Sequence, residues 1–178
     1  DFKPIKKQKI SKYGGDKNHQ VEASGFYRTE KINGRWWIID PEGYRFIHKA
    51  VNSIKRGKSD RNIVGFEDKF SSPLDWITKT TQFINAYGFN GAGSWSEVEL
   101  INEMQQEDNN QLAYTINLNW MSGYGKIRGG TYAVPGHTGY PNSTIFVFDK
   151  EFKSYCSDKA KELEKYKNDP NLLGYFSD

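Results

Sequence analysis

Only one cysteine, Cys156, occurs in the 178 residues, so no internal disulfide framework staples the fold and a packed core must hold it. Long apolar runs are missing as well: no stretch approaches the about 18 apolar residues of a membrane-spanning helix. The first residues lack the apolar h-region of a signal peptide, but a secreted protein loses that segment on maturation, so this lack does not fix the compartment. Charge of one sign is not in excess either. Lys and Arg number 25 against 22 Asp and Glu, and much of the surplus sits in Lys3, Lys6, Lys7, Lys9, Lys12 and Lys17, which reads as a solvated lead-in and not as a nucleic-acid stripe. The chain has no internal repeat, HExxH helix, CxxC pair or phosphate-cradling glycine loop; Gly123-Tyr124-Gly125 and Gly129-Gly130 do not open a helix after a strand. The sequence therefore points to no cofactor, no metal and no nucleic-acid partner.

Aromatic residues are plentiful, with five Trp and eleven Tyr. Their faces stack on sugars and bases alike, which permits a ligand groove without identifying the ligand. Residues 1–24 mix Lys, Gly, Asn and Gln without periodicity and are expected to form an irregular basic lead-in. From Gly25 the pattern changes: Phe26–Ile32, then Asn33-Gly34, then Arg35–Ile39. Asn-Gly between two β-rich runs predicts a hairpin, because a type I′ turn needs positive φ at both central residues. Trp36 and Trp37 are strand neighbours and must face opposite sides, one toward the core and the other as a cover. Asp40-Pro41-Glu42-Gly43 has Pro where a type I turn wants φ preset, closing a hairpin unit over 25–43.

A third strand is expected from about Tyr44 to Val51, ending in Asn52-Ser53, and residues 55–71 read as a long polar loop. Ser72-Pro73-Leu74-Asp75 predicts a helix start, with Trp76, Ile77, Thr80, Phe83, Ile84 and Tyr87 repeating at three and four and Gly88 as the stop. Phe89–Trp95 suits a short strand in a tight barrel. Ser96-Glu97-Val98-Glu99 has the form of a capping box, opening a helix that ends near Asp108. Leu112–Trp120 reads as the next strand, Met121–Ser143 as a Gly-rich loop, and a last helix from about Asp149 stops before Pro170. Leu172–Phe176 is a final strand. Strands separated by helices imply parallel pairing through crossovers. The expectation is an α/β fold: the first four strands of a TIM (β/α)8 barrel over 44–178, the N-terminal half of one, since a complete barrel takes about 250 residues.

Several segments, in this order and spacing, resemble agarase-type glycoside hydrolases: Gly34–Gly43 (Gly-Arg-Trp-Trp-Ile-Ile-Asp-Pro-Glu-Gly), Ala50–Ser53, Tyr87–Gly91 with Ser94-Trp95-Ser96, Val147–Phe152, and Asp169–Asp178. The resemblance implies a retaining (β/α)8-barrel enzyme that cuts galactan chains such as agarose by a two-Glu mechanism. In that family a segment like Gly-Tyr-Phe-x-Asp runs on into Asn-Glu, with Glu as acid/base, and the nucleophilic Glu ends the seventh strand. The resemblance thus places both catalytic residues after Asp178, leaving none in this segment, and makes the remaining half of the barrel a partner. A retaining mechanism needs both carboxyl groups about 5 to 5.5 Å apart.

Residues closing barrel strands are the candidates for contact with a polysaccharide or oligosaccharide. Asn52 ends the first strand and can reach a sugar hydroxyl or cap nearby backbone. Trp95 ends the second, as a stacking platform or a buried wedge. Asn119 and Trp120 end the third, with Asn117 and Asn119 on one strand face. His137 sits in a Pro-bounded loop, as a sugar contact or a surface residue; His48 reads better as a satisfied core histidine and Cys156 as inert core. Asp178 would precede the acid/base by two positions. A secreted, periplasmic or cell-surface protein follows from such a substrate. The alternative is a non-catalytic carbohydrate-binding or scaffold half barrel whose open sheet edges a second copy covers.

Overall fold

A computed structural model describes residues 9–107, 111–129, 133–134, 137–138 and 147–177. They fall into two compact units, one within Asp1–Ile116 and Pro170–Gly174, the other within Asn117–Asp169 and Tyr175–Asp178. The architecture is mixed α/β, with an antiparallel sheet followed by a parallel one.

The antiparallel sheet of the first unit has the order β1-β4-β3-β2: β1 Asp16–Gln20, β2 Arg28–Ile32, β3 Arg35–Ile39 and β4 Tyr44–Phe46. The expected hairpin is present. Arg28 pairs with Ile39 and Ile32 with Arg35, and Asn33 and Gly34 both take positive φ, 51° and 81°, as the type I′ turn requires. Trp36 lies exposed while Trp37 is half-buried, its ring flanked by the guanidinium groups of Arg35 and Arg45 at 4.6 and 5.0 Å.

Asp40, fully buried, fixes the turn into β4. Its Oδ1 accepts the backbone N–H groups of Glu42 and Tyr44 at 3.0 and 2.8 Å. Its Oδ2 accepts the Ser11 hydroxyl, whose oxygen in turn accepts the Gly15 N–H at 2.9 Å. One carboxylate therefore ties the lead-in to the hairpin. Beside it the rings of Tyr13, Tyr27, Phe46 and His48 follow one another at centroid spacings of 6.2, 5.0 and 6.0 Å. Burial, and then the Asp40 charge, push the Tyr27 phenol far above its ordinary range.

The second sheet has the order β10-β7-β6-β5, with β5 Ala50–Val51, β6 Gly91–Ala92, β7 Ala113–Asn117 and β10 Leu172–Phe176. Ala50 pairs with Gly91 and Gly91 with Ala113, both parallel. The first-unit helices are α1 Asp60–Lys69, α2 Pro73–Ala86 and α3 Val98–Glu107. Helix α2 starts as its sequence requires: Ser72 Oγ accepts the Asp75 N–H at 3.0 Å and Pro73 opens the first turn. Ile77, Thr81 and Ile84 of α2, Ile101 and Met104 of α3, and Ala92, Leu112 and Tyr114 of the sheet are buried.

In the second unit, α4 Trp120–Arg128 packs on α5 Lys150–Lys161. Met121 and Tyr124 meet Phe152 and Tyr155, and a short 3-10 helix, Glu162–Tyr166, follows α5. Ala133–Val134 (β8) pairs antiparallel with His137–Thr138 (β9).

The structure differs from expectation at four places. The supposed irregular lead-in contributes β1, which has no alternating pattern and exists because β4 offers it an open edge. The single expected strand over 44–51 is two: Tyr44–Phe46 belongs to the antiparallel sheet and Ala50–Val51 to the parallel one. Residues 60–69, expected in a loop, form α1, capped by Ser59 Oγ accepting from Asn62 N–H; none of its residues is buried, so no apolar period announced it. Residues 120–128, expected at a strand end and in a loop, form α4. Its Gly123 leaves room for the Tyr155 hydroxyl, which a β-carbon at that position would overlap.

Replacing Asp40 by Ala leaves two backbone N–H groups and a buried hydroxyl without their acceptor, and is expected to destabilise the fold by about 3 kcal/mol. Asp40→Asn keeps one acceptor oxygen and should lose less. Urea unfolding of the two variants beside the wild type checks the order.

Candidate functional site

The carboxyl ends of β5 and β6 are where the first unit gathers its candidate residues. Gly93 N–H donates to Val51 O at 2.9 Å and Ser53 N–H to Ser94 O at 2.8 Å, so the pairing runs on past both strands. This brings Asn52 and the Gly93–Trp95 turn together. Asn52 is exposed, and among the described residues its side chain has no hydrogen-bond partner, so it does not act as a local cap. Its carboxamide lies over Gly93, occupying the space a β-carbon there would need.

Trp95 adopts φ 62° and is 59% exposed, so within the first unit it is an open indole and not a buried wedge. Left-handed backbone is unusual for a bulky residue and is held only where neighbours impose it. Here they do. Ser96 Oγ donates to Gly93 O at 2.8 Å and accepts the Ile54 N–H at 3.2 Å, while Glu97 N–H donates to Ile54 O at 2.9 Å. Ser96 was expected to cap α3; it spends its hydroxyl on the preceding loops instead, and α3 begins at Val98.

His48 is half-buried, and its Nε2 lies 3.1 Å from Ala113 O. A carbonyl only accepts, so Nε2 carries the proton. Desolvation, against the opposing effect of that hydrogen bond, lowers its pKa below the ordinary 6.5. It is thus a satisfied structural histidine.

The second unit holds the other candidates. Asn119 is exposed and takes φ 50° at the start of α4, without a side-chain capping bond. Trp120, half-buried, is the first residue of α4 and not the end of a strand, which closes at Asn117. Leu118 N–H donates to Phe176 O at 2.8 Å and Trp120 N–H to Ser177 O at 3.1 Å, setting Trp120 beside Ser177. His137 belongs to β9; Asp178 lies outside the described residues. Cys156 is half-buried on α5, and burial raises its thiol pKa.

Sequence reasoning missed three features. Asn117 Oδ1 is buried and unpartnered among the described residues. Arg56 clasps Glu97 through both guanidinium and backbone. Tyr124, Arg128 and Asp149 meet at an open cavity of about 580 Å³ also lined by Ile127, Gly129 and Glu151. The last two join residues far apart in the chain, and no local pattern marks them. Among the described residues no three His, Cys, Asp or Glu side chains are grouped to hold a metal ion, and no helix is long and apolar enough to cross a membrane.

No known family profile matches the chain. Beta-agarase B of Vibrio sp. (strain JT0107) is 26% identical over 230 aligned residues, covering 93% of this chain. The chain resembles part of an agarase-type glycoside hydrolase. It spans 23% of that relative's length. Among solved structures, the crystal structure of BpGH50 superposes with a TM-score of 0.74 at 23% identity, over 95% of this chain and 37% of that one. An exo-beta-agarase gives 0.59 at 19% identity, over 98% of this chain and 33% of that one. At such identities the likeness speaks to the fold: the antiparallel sheet followed by the parallel one is the arrangement the chain shares with them.

Two outcomes test this geometry. Gly93→Ala should displace the Asn52 carboxamide while sparing the backbone, since Asn52 Cγ and Cα would stand 3.1 and 3.6 Å from the new β-carbon; a shifted Asn52 side-chain amide signal in a ¹H–¹⁵N spectrum, with little change in melting temperature, checks it. For His48 the unfolded chain takes up a proton near pH 6.5 and the folded chain only below that. Its contribution is therefore complete above pH 6.5 and is lost as pH falls from there through the folded pKa. The gap in urea midpoint between wild type and His48→Gln should narrow or change sign between pH 7.5 and pH 5.5, and a gap independent of pH would refute the assignment.

Proposed function

We propose that this chain forms part of a β-agarase-like glycoside hydrolase, contributing the N-terminal half of a (β/α)8 barrel, with neutral galactan chains such as agarose as substrate. The observation that carries the reading is Trp95. An exposed indole, held in left-handed backbone at the carboxyl end of a parallel strand with the Asn52 carboxamide beside it, unpartnered among the described residues, is built to meet a ligand that offers an apolar ring face and hydroxyl groups. A pyranose does both. The substrate class is supported by the likeness to beta-agarase B, which runs through 93% of the chain.

Within this reading Trp95 stacks on a sugar ring, Asn52 bonds a hydroxyl, and Asn119, in the same kind of left-handed position after β7, serves the strand that follows. Trp120, His137 and Asp178 are assigned to further sugar contacts. The bond-breaking groups are two Glu residues following Asp178 in the longer protein. One protonates the leaving oxygen while the other attacks the anomeric carbon, and water, deprotonated by the first, then releases the sugar. The residues of this chain bind and orient. Because a polysaccharide does not cross a bilayer, the enzyme works outside the cytoplasmic membrane, secreted, periplasmic or at the cell surface.

The test is hydrolysis of agarose by the full-length protein. Release of neutral oligosaccharides is expected, and Trp95→Ala should lower kcat/KM by about tenfold, the loss of one ring contact worth about 1.4 kcal/mol. A folded full-length protein that binds agarose and releases nothing would favour a carbohydrate-binding role and overturn the enzyme reading.

A further inference from the structure

We propose that Arg56 and Glu97 are positioning residues that hold Trp95 ready for sugar, making the loops after β5 and β6 a single rigid body. The inference rests on the proposed sugar-binding role of Trp95 for its consequence, although the clasp itself stands on geometry. Glu97 lies two residues beyond Trp95 and Arg56 four beyond Asn52. Glu97 Oε1 accepts the backbone N–H of Arg56 at 2.6 Å and its Nε at 3.3 Å; Oε2 accepts Nε at 2.9 Å and Nη2 at 2.6 Å. That is a fork-on-fork pair reinforced by a main-chain donor, the geometry in which a guanidinium fixes a carboxylate in orientation as well as distance.

The clasp ends a continuous line of cross-links between the two loops. Gly93 N–H meets Val51 O, Ser53 N–H meets Ser94 O, Ser96 Oγ meets Ile54 N–H, and Glu97 N–H meets Ile54 O. Trp95 is the one residue of the Gly93–Glu97 turn without such a link among the described residues. It therefore projects from a frame tied down on both sides, and both ends of its strained φ are held. The guanidinium also stands 5.9 Å from the Phe66 ring of α1. This anchors the clasp to the helix that follows the β5 loop. Neither Arg56 nor Glu97 is directed to a ligand by anything in this arrangement; their effect passes through the indole.

The first readout needs no sugar. In a ¹H–¹⁵N spectrum of the full-length protein, with the Trp95 indole signal assigned by Trp95→Phe, Glu97→Ala should broaden or shift that signal. Those of Trp36, Trp37, Trp76 and Trp120 should stay in place, and Glu97→Gln, which keeps an acceptor for the Arg56 N–H, should restore part of it. An unmoved Trp95 signal overturns the proposal, whatever the substrate. The second readout is kinetic, on agarose oligosaccharides: Glu97→Ala should raise KM about tenfold with kcat within about threefold, and Glu97→Ala/Trp95→Ala should be no worse than Trp95→Ala alone. Additive losses in that double variant overturn the positioning role. If wild type neither binds nor cleaves agarose oligosaccharides, the galactan reading falls, while the indole signal still decides whether the clasp holds Trp95.

Discussion

Two absent β-carbons, at Gly91 and Gly93, set how closely the parallel strands and the side chains over them can approach. A β-carbon on Gly91 would overlap the His48 ring and stand 2.9 Å from Ala113 O; one on Gly93 would overlap the Asn52 carboxamide. The first relation lets His48 reach across β6 to a carbonyl of β7, so that the entry to β5 is bonded to the next strand but one. The second lets Asn52 lie over the turn that carries Trp95. Strands of two residues, as β5 and β6 are, have too few ladder bonds to fix their own register. These side-chain relations, with the loop bonds beyond the strands, supply what the ladder lacks.

The antiparallel sheet solves a different problem with the same economy. Its residues 9–20 carry little apolar pattern, and what orders them is Asp40, buried with its oxygens committed to Ser11 and to two backbone amides. A buried carboxylate is costly unless such donors surround it. Once they do, removing any one leaves an expensive orphan, which makes the hairpin and the lead-in cooperate. The ring series from Tyr13 to His48 then extends that order to the residues that enter β5.

Legibility followed the range of the interactions. The Asn33-Gly34 turn and the start of α2 are written in neighbouring residues, and both were readable. Strand β1, helix α1 and helix α4 were not. The first depends on an edge offered by residues more than twenty positions away; the second buries nothing; the third contains Gly123 and Gly125, which speak against a helix until Tyr155 and the buried Tyr124 are placed against it. For the site, alternation and strand ends pointed to Asn52, Trp95 and Asn119. Only the folded structure shows that Ser96 abandons the expected cap, that Glu97 turns to Arg56, and that Asn117 has a buried oxygen with no partner among the described residues.

Ser53, Trp95 and Asn119 each follow a parallel strand with positive φ, at 57°, 62° and 50°. For Asn and Ser the cost is small, because a short polar side chain tolerates this region; for an indole it is of the order of 1–3 kcal/mol and has to be imposed from outside. A tryptophan that only covered apolar surface could do so from extended backbone without that cost. Trp95 instead stands largely in solvent, so the strain is not repaid by burial within its own unit. On the proposed sugar-binding role of Trp95, the cross-links around it restrict the indole before any ligand arrives, and a platform already held in place loses less entropy on binding than one that must be ordered by the ligand. In these terms the strained turn, the two glycines and the Arg56–Glu97 clasp are parts of one device, which trades folding stability for a preformed surface.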